Sequence, residues 1–166
     1  MVQKVPVRYV PERLSRKDRK KQVLMLNKSR KLYKSGKYYT RAKVQSFVSK
    51  ESKHIKRARK IYNVDTIVPS AELSQATGCT IDALEKIVKK GEGAYYSSGS
   101  RPNQTAQSWG YARLASAITS GKSAAIDYNI IRDGCNHTKN NKAFVLANKS
   151  RRKYKYGQSH TRRVKM

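Results

Sequence analysis

Over residues 64–134 apolar residues recur three and four positions apart with no convincing run of alternating strands, so the pattern predicts an all-α body. Ser70 caps a helix that Gly78 ends. Thr80 caps a second, in which Ile81, Leu84, Ile87 and Val88 share one face and Gly91 closes the last turn. Asp82 falls near its positive end and Lys89 and Lys90 near its negative end. A loop rich in glycine and serine spans 91–103. A third helix starts at Thr105 or Ser108 and runs to Thr119, lined by Ala112, Leu114, Ala115, Ala117 and Ile118. Gly121 breaks it, and a fourth runs over 123–132 before Gly134.

Ahead of these lie two basic helices and a strap. Residues 1–14 carry Pro6 and Pro11 and read as extended. Ser15 with Asp18 marks a helix start, and 16–33 holds a narrow stripe of Val23, Leu24, Leu26, Leu32 and Tyr33 that Gly36 ends. A second basic helix is predicted over 52–62, with Ile55, Ala58, Ile61 and Tyr62 on one face and Lys53, Lys56, Arg57 and Lys60 on the other.

Charge divides the chain into three. Residues 64–134 hold seven basic and seven acidic side chains, 1–63 hold 21 and three, and 135–166 hold ten and none. A balanced segment folds as an ordinary globular unit, whereas the flanks repel themselves. The expected organisation is mainly α. A small body of four short helices at 64–134 sits between a basic N-terminal arm at 1–63 and a basic C-terminal arm at 135–166. A net charge of +28 asks for a polyanion, either nucleic acid or an acidic protein surface. Membrane contact is not expected, because the basic segments lack a broad apolar face. The N-terminus has no apolar signal-peptide core, so the four Asn-x-Ser/Thr sequons carry little weight. Cys79 and Cys135 are too few for a disulfide framework and read as two reduced thiols in an intracellular setting.

The stretch NKSRKLYKSGKYYTR at 27–41 recurs as NKSRRKYKYGQSHTR at 148–162, with nine of 15 positions identical. Asparagine, serine, tyrosine, glycine and threonine match in register as well as the basic residues. Lys28, Arg30, Tyr33, Lys34 and Arg41 in the first copy, with Lys149, Arg151, Arg152, Tyr154, Lys155, Arg162 and Arg163 at the second, are the expected polyanion or partner contacts. The cations suit anionic oxygens and the tyrosines stack or cover apolar ground. The plainer reading is that both copies end helices in the same way. A second contact surface is the loop together with the start of the third helix: Tyr95, Tyr96, Ser98, Arg101, Asn103, Gln104 and Arg113. Against that, Tyr95, Tyr96 and Trp109 also suit the aromatic core of a small domain.

Enzymatic chemistry finds little support. SAITSGKS at 116–123 approaches a phosphate-binding loop, but Ser116 replaces its first glycine and a helix precedes it. Asp133, Cys135 and His137 need a fourth ligand such as Cys79 to close a zinc site, and helix ends explain them equally well. No Ser/His/Asp arrangement is suggested, so neither catalytic residues, cofactor, metal nor small-molecule substrate is expected.

The string GEGAYYSSGSRPNQTAQSWGYARLASAITSGKSAAIDYNIIRDGC at 91–135 resembles a signature of a small basic protein family found in large DNA viruses of algae, with relatives in phages. YVPERLSRKDRKKQ (9–22), SRKLYKSGKYYTRAKVQSFVSK (29–50) and ELSQATGCTIDALEKIVKKG (72–91) are similar to it as well. The family has no assigned activity or catalytic residues, so the resemblance transfers none. It implies a virion component such as a minor capsid protein of a chlorella-type virus, made in the host cytoplasm and sited at the inner face of the shell. Its basic arms would tie other capsid proteins together through their acidic surfaces. The alternative is a DNA-condensing protein packaged with the genome, without sequence preference.

Overall fold

The computed structural model describes residues 3–138, 141–155 and 161–166, and among them the protein is mainly helical. Eight α-helices and one two-stranded sheet are arranged in two compact units. Unit 1 comprises residues 1–50, 92–109 and 160–166, and unit 2 comprises 51–91 and 110–159. These boundaries differ from the charge boundaries at 63/64 and 134/135. Charge reports solvation, whereas the units follow apolar packing, and the basic N-terminal region has a core of its own.

In unit 1 that core is made of Val5, Tyr9, Val10, Leu14, Met25, Leu26, Val44 and Phe47, with Trp109 and Val164 packed against it. The strap expected over 1–14 is therefore built in. Strand β1 (Lys4–Pro6) pairs antiparallel with β2 (Arg163–Lys165), Val5 opposite Val164, so the two ends of the described chain meet in one sheet. One turn of 3-10 helix over Val7–Tyr9 comes next. Helix α1 (Arg16–Lys34) starts where Ser15 accepts a hydrogen bond from the Asp18 amide, as its sequence indicates. Gln22 is buried and donates to the Tyr9 carbonyl, which ties the helix to the strap. Gly99 has φ +128°, and a Cβ there would press on Leu26 and Tyr9, so only glycine fits this turn.

Unit 2 begins with α2 (Lys53–Tyr62), which ends at Asn63 in the left-handed region, and α3 (Ala71–Thr77), capped by Ser70 and ended by Gly78 at φ +72°. Helix α4 (Ile81–Ser97) and α5 (Ala106–Ala117) come after it, and each contributes residues to both units. The last three are α6 (Lys122–Ile126), α7 (Tyr128–Gly134) and α8 (Lys142–Tyr154). The core joins Leu73, Leu84, Ile87, Leu114, Ile118, Ile131, Ala143 and Ala147. The helix expected over 123–132 is two short ones, with Asp127 at the joint. The segment after 135 supplies a core helix, α8, whose cap is the Asn141 side chain.

Two expectations are overturned in this unit. Gly91 does not close α4, which runs six residues further. A Cβ on Gly91 would lie 2.6 Å from the Gly110 Cα, so this glycine permits a close helix–helix approach instead of a turn. The loop predicted over 91–103 accordingly begins only after Ser97. The cysteines are not free thiols either. Cys79 and Cys135 form a buried disulfide across an isolated antiparallel bridge, beside the bonds Thr80 N–H to Gly134 O and Asn136 N–H to Gly78 O. Residues 56 apart in sequence give no local sign of that pairing.

Candidate nucleic-acid interface

Between α1 and α2 the chain runs without helix or strand from Ser35 to Ser52. Loops of this length in a compact domain are uncommon, and those held in place rather than serving as linkers are often functional. This one is fixed at three points. Arg41 is its deepest anchor. The backbone N–H of Arg41 donates to the Tyr95 hydroxyl at 2.9 Å, and its guanidinium donates to Ser29 Oγ, the Tyr95 carbonyl and Ser100 Oγ at 2.8–2.9 Å. The guanidinium also lies 3.8 Å from the Tyr95 ring centroid. Arg41 is 6% exposed, and among the described residues no carboxylate pairs with it. Burial lowers its pKa below the usual arginine value.

The second anchor is Asn103, in the left-handed region at φ 62°. Its side chain accepts from the Val44 amide and donates to the Val44 and Phe47 carbonyls, pairing three backbone groups of the loop. The third is Asp18, whose carboxylate accepts from the Ser46 amide at 2.7 Å. Hydrogen bonds from Ser46 hold the Asp18 pKa below its ordinary value. A carboxyl lowered in the folded state contributes stability that is complete above the ordinary value near 3.8 and lost as pH falls through the folded value. Amides of residues 43–47 should therefore lose hydrogen-exchange protection on the acid side of that value, and Asp18→Ala should remove that step.

So pinned, and with Val44 and Phe47 buried in the core, the loop presents several other side chains outward. Tyr38 is 73% exposed, Tyr33 on the last turn of α1 is 37% exposed, and Lys34, Lys37, Lys43 and Lys50 are exposed. Tyr33 and Tyr96 have rings parallel within 7°, and Tyr38 leans on both, its centroid 5.0 Å from that of Tyr96. The Lys28 ammonium lies 4.5 Å from the Tyr39 ring centroid. Elsewhere in unit 1, Arg101 is held below its usual pKa by burial and then by the positive charges of Arg8 and Arg13. Those two pack over the Tyr9 and Phe47 rings, and no ion pair forms at any of the three among the described residues.

The residues expected to form one clamp in two copies divide differently. Lys28, Lys34 and Tyr33 are on the surface just described. Arg41 is corrected from a partner contact to an internal anchor. Arg30 is half-buried and donates to the Ser98 carbonyl and the Gln3 side chain. In the second copy, Lys149, Arg151, Arg152, Tyr154 and Lys155 belong to α8 and its cap in unit 2, where Arg151 packs over the Tyr128 ring. Arg162 pairs with Glu12, and Arg163 donates to the Lys4 carbonyl. Arg41 and Arg162 thus meet different partners, an internal set of Ser29, Tyr95 and Ser100 for the first and Glu12 for the second. Two features do repeat. α1 and α8 end within one residue of equivalent positions, and the buried Ser29 and Ser150 each donate to a backbone carbonyl, of Tyr96 and Gly121 respectively. The echo is therefore a way of ending and docking a helix. Gly157 and the rest of 156–160 lie outside the described residues.

The second expected surface is largely interior. Tyr95 is fully buried and Asn103 is a loop anchor. Gln104 accepts from Ser108, and Ser98, though exposed, has its carbonyl occupied by Arg30. Arg113 forms a two-point ion pair with the buried Asp127, which Lys90 also contacts. Tyr96 and Arg101 keep a place at the surface. The phosphate-loop approximation fails on geometry, because Ser116 packs against Gly121 and its hydroxyl accepts from the Ser123 amide. The zinc set fails because both thiols are in the disulfide. Sequence reasoning misses Tyr38, although three tyrosines within seven residues at 33–39 carry the signal.

A strongly basic, mainly helical protein with a pinned, lysine- and tyrosine-bearing loop is what the fold and surface define. The chain belongs to the Family of unknown function (DUF5824), whose model matches residues 6–139. No curated protein and no solved structure matches it.

Proposed function

We propose that this is a non-enzymatic nucleic-acid-binding protein of low sequence preference, and that unit 1 carries the binding surface. The supporting observation is an imbalance within one unit. Unit 1 has 20 Lys/Arg against three Asp/Glu, and its described residues form one ion pair, Arg162 with Glu12. A surface so uncompensated is neutralised most simply by phosphates, with release of their counterions. On the viral resemblance, the proposed location is the virion, at the inner face of the shell within reach of the genome. The minor capsid tie is the second reading. It rests on arms that need a partner to order them, and the strap and α1 instead have a core of their own, which favours nucleic acid.

The test is fluorescence anisotropy with labelled duplexes of scrambled sequence across a salt series. Neutralising about six to ten phosphates should weaken binding by roughly 10³–10⁵ between about 50 and 200 mM salt, with scrambled duplexes alike. A sequence preference that persists at high salt would point to a specific regulator. No binding at low salt, with capture of acidic shell protein instead, would favour the capsid tie.

A further inference from the structure

We propose that Tyr38, backed by Tyr33 and Tyr96, is a stacking platform for unpaired nucleobases, so that unit 1 takes single-stranded nucleic acid in preference to phosphate polyanions lacking bases. The inference rests on the nucleic-acid reading above and adds what that reading lacks, a reason for bases to matter.

An exposed aromatic ring is unremarkable by itself, since folded proteins leave much apolar surface in water. Three observations set Tyr38 apart. Its ring is not isolated but leans at 55–58° on two others, Tyr33 and Tyr96, which are parallel to each other. It is nonetheless 73% exposed, so its neighbours brace it and leave ring surface free. The loop beneath it is fixed by Arg41, Asn103 and Asp18 rather than by Tyr38, so the ring is not what folds the segment. A braced ring loses little freedom when a base settles on it, and pre-organisation of this kind is what raises affinity.

Charge selects the occupant. Lys34 and Lys37 flank the tyrosines in sequence, both exposed, and Lys28 lies over the ring of Tyr39 next to Tyr38. Cations alternating with aromatic faces match a single strand, whose phosphates and unstacked bases alternate in the same way. A duplex hides its base faces and gains only the cations. An acidic peptide likewise gains the cations and leaves Tyr38 idle.

The experiment compares a fluorescein-labelled dT20 with an abasic 20-mer of the same backbone, which carries the phosphates without the bases. Wild-type protein should bind dT20 roughly five-fold or more tightly than the abasic strand. Tyr38→Ala should abolish that difference without changing abasic binding or the salt slope, and Tyr38→Phe should preserve it. A tryptophan at this position (Tyr38→Trp) should be quenched by dT20 and not by the abasic strand, beyond any change at Trp109. Far-ultraviolet circular dichroism of each variant checks that the fold is intact. Equal wild-type affinity for the two strands would overturn the platform alone, as would a Tyr38→Ala loss that is the same for both. Binding to neither strand at low salt would overturn the nucleic-acid reading and the platform with it.

Discussion

Replacing Arg41 by methionine should lower the melting midpoint of the protein by roughly 6–12 °C, corresponding to about 3 kcal/mol. Three acceptors now filled by the guanidinium, the Ser29 and Ser100 hydroxyls and the Tyr95 carbonyl, would face an apolar thioether. Hydrogen bonds from a charged donor contribute about 1.5–3 kcal/mol each. Burying the unpaired cation costs part of that sum, which is why the expected net is nearer one such bond than three. Lysine should restore little, because a single ammonium cannot reproduce a planar fork that also stacks on the Tyr95 ring at 3.8 Å. Hydrogen exchange gives a second reading. Amides of 35–47 should lose protection more than those of α1. The base-dependent binding proposed for Tyr38 should fall with them, while binding to an abasic strand persists. A midpoint lowered by less than about 2 °C, with loop protection intact, would mean that Asn103 and Asp18 suffice to hold the segment.

Arg41 also shows where the sequence is legible and where it is not. Local signals hold. Ser15 and Ser70 cap the helices they are expected to cap, Gly78 ends α3, and the 52–62 face of Ile55, Ala58, Ile61 and Tyr62 is packed. Each of these is decided within a turn or two of chain, by hydrogen bonding to nearby amides or by period. What fails is non-local. Gly91 looks the same whether it ends a helix or admits Gly110 against its backbone, and only the tertiary neighbour tells which. The arms look self-repelling because net charge counts side chains without asking where their stems lie. In α1 most of the cations are exposed while Met25 and Leu26 are buried, so high charge and a sound core coexist. Arg41 groups with surface cations in the sequence because its neighbours there are basic. Nothing local marks it as a cation whose partners Tyr95 and Ser100 lie more than 50 residues away. The ring cluster is hidden likewise, since Tyr96 joins Tyr33 and Tyr38 only through the fold.

The disulfide is the most consequential of these non-local features, and its loss should destabilise unit 2 by about 4 kcal/mol. Chain entropy sets the size of the effect. A cross-link between residues 56 apart restricts the unfolded ensemble over a loop spanning α4 to α7, and long loops gain more than short ones. The folded state has reason to tolerate the cut, because Thr80 N–H to Gly134 O and Asn136 N–H to Gly78 O flank the bridge, and Leu84 and Ile131 pack in the same core. The reduced protein should therefore remain folded at moderate temperature and melt roughly 8–16 °C lower. The double variant Cys79→Ala, Cys135→Ala should melt close to the reduced wild type, and reductant should not move it further. That last comparison separates the cross-link from side effects of the reductant. A wild-type midpoint indifferent to reductant, with free thiols verified by labelling, would show that the bridge adds no constraint beyond the flanking hydrogen bonds. A shift of the expected size makes stability depend on the redox state of the compartment. The protein would then be most robust where disulfides persist and weaker where glutathione keeps thiols reduced. Any assay of the proposed nucleic-acid binding must accordingly fix the redox state before salt dependence or base preference is compared.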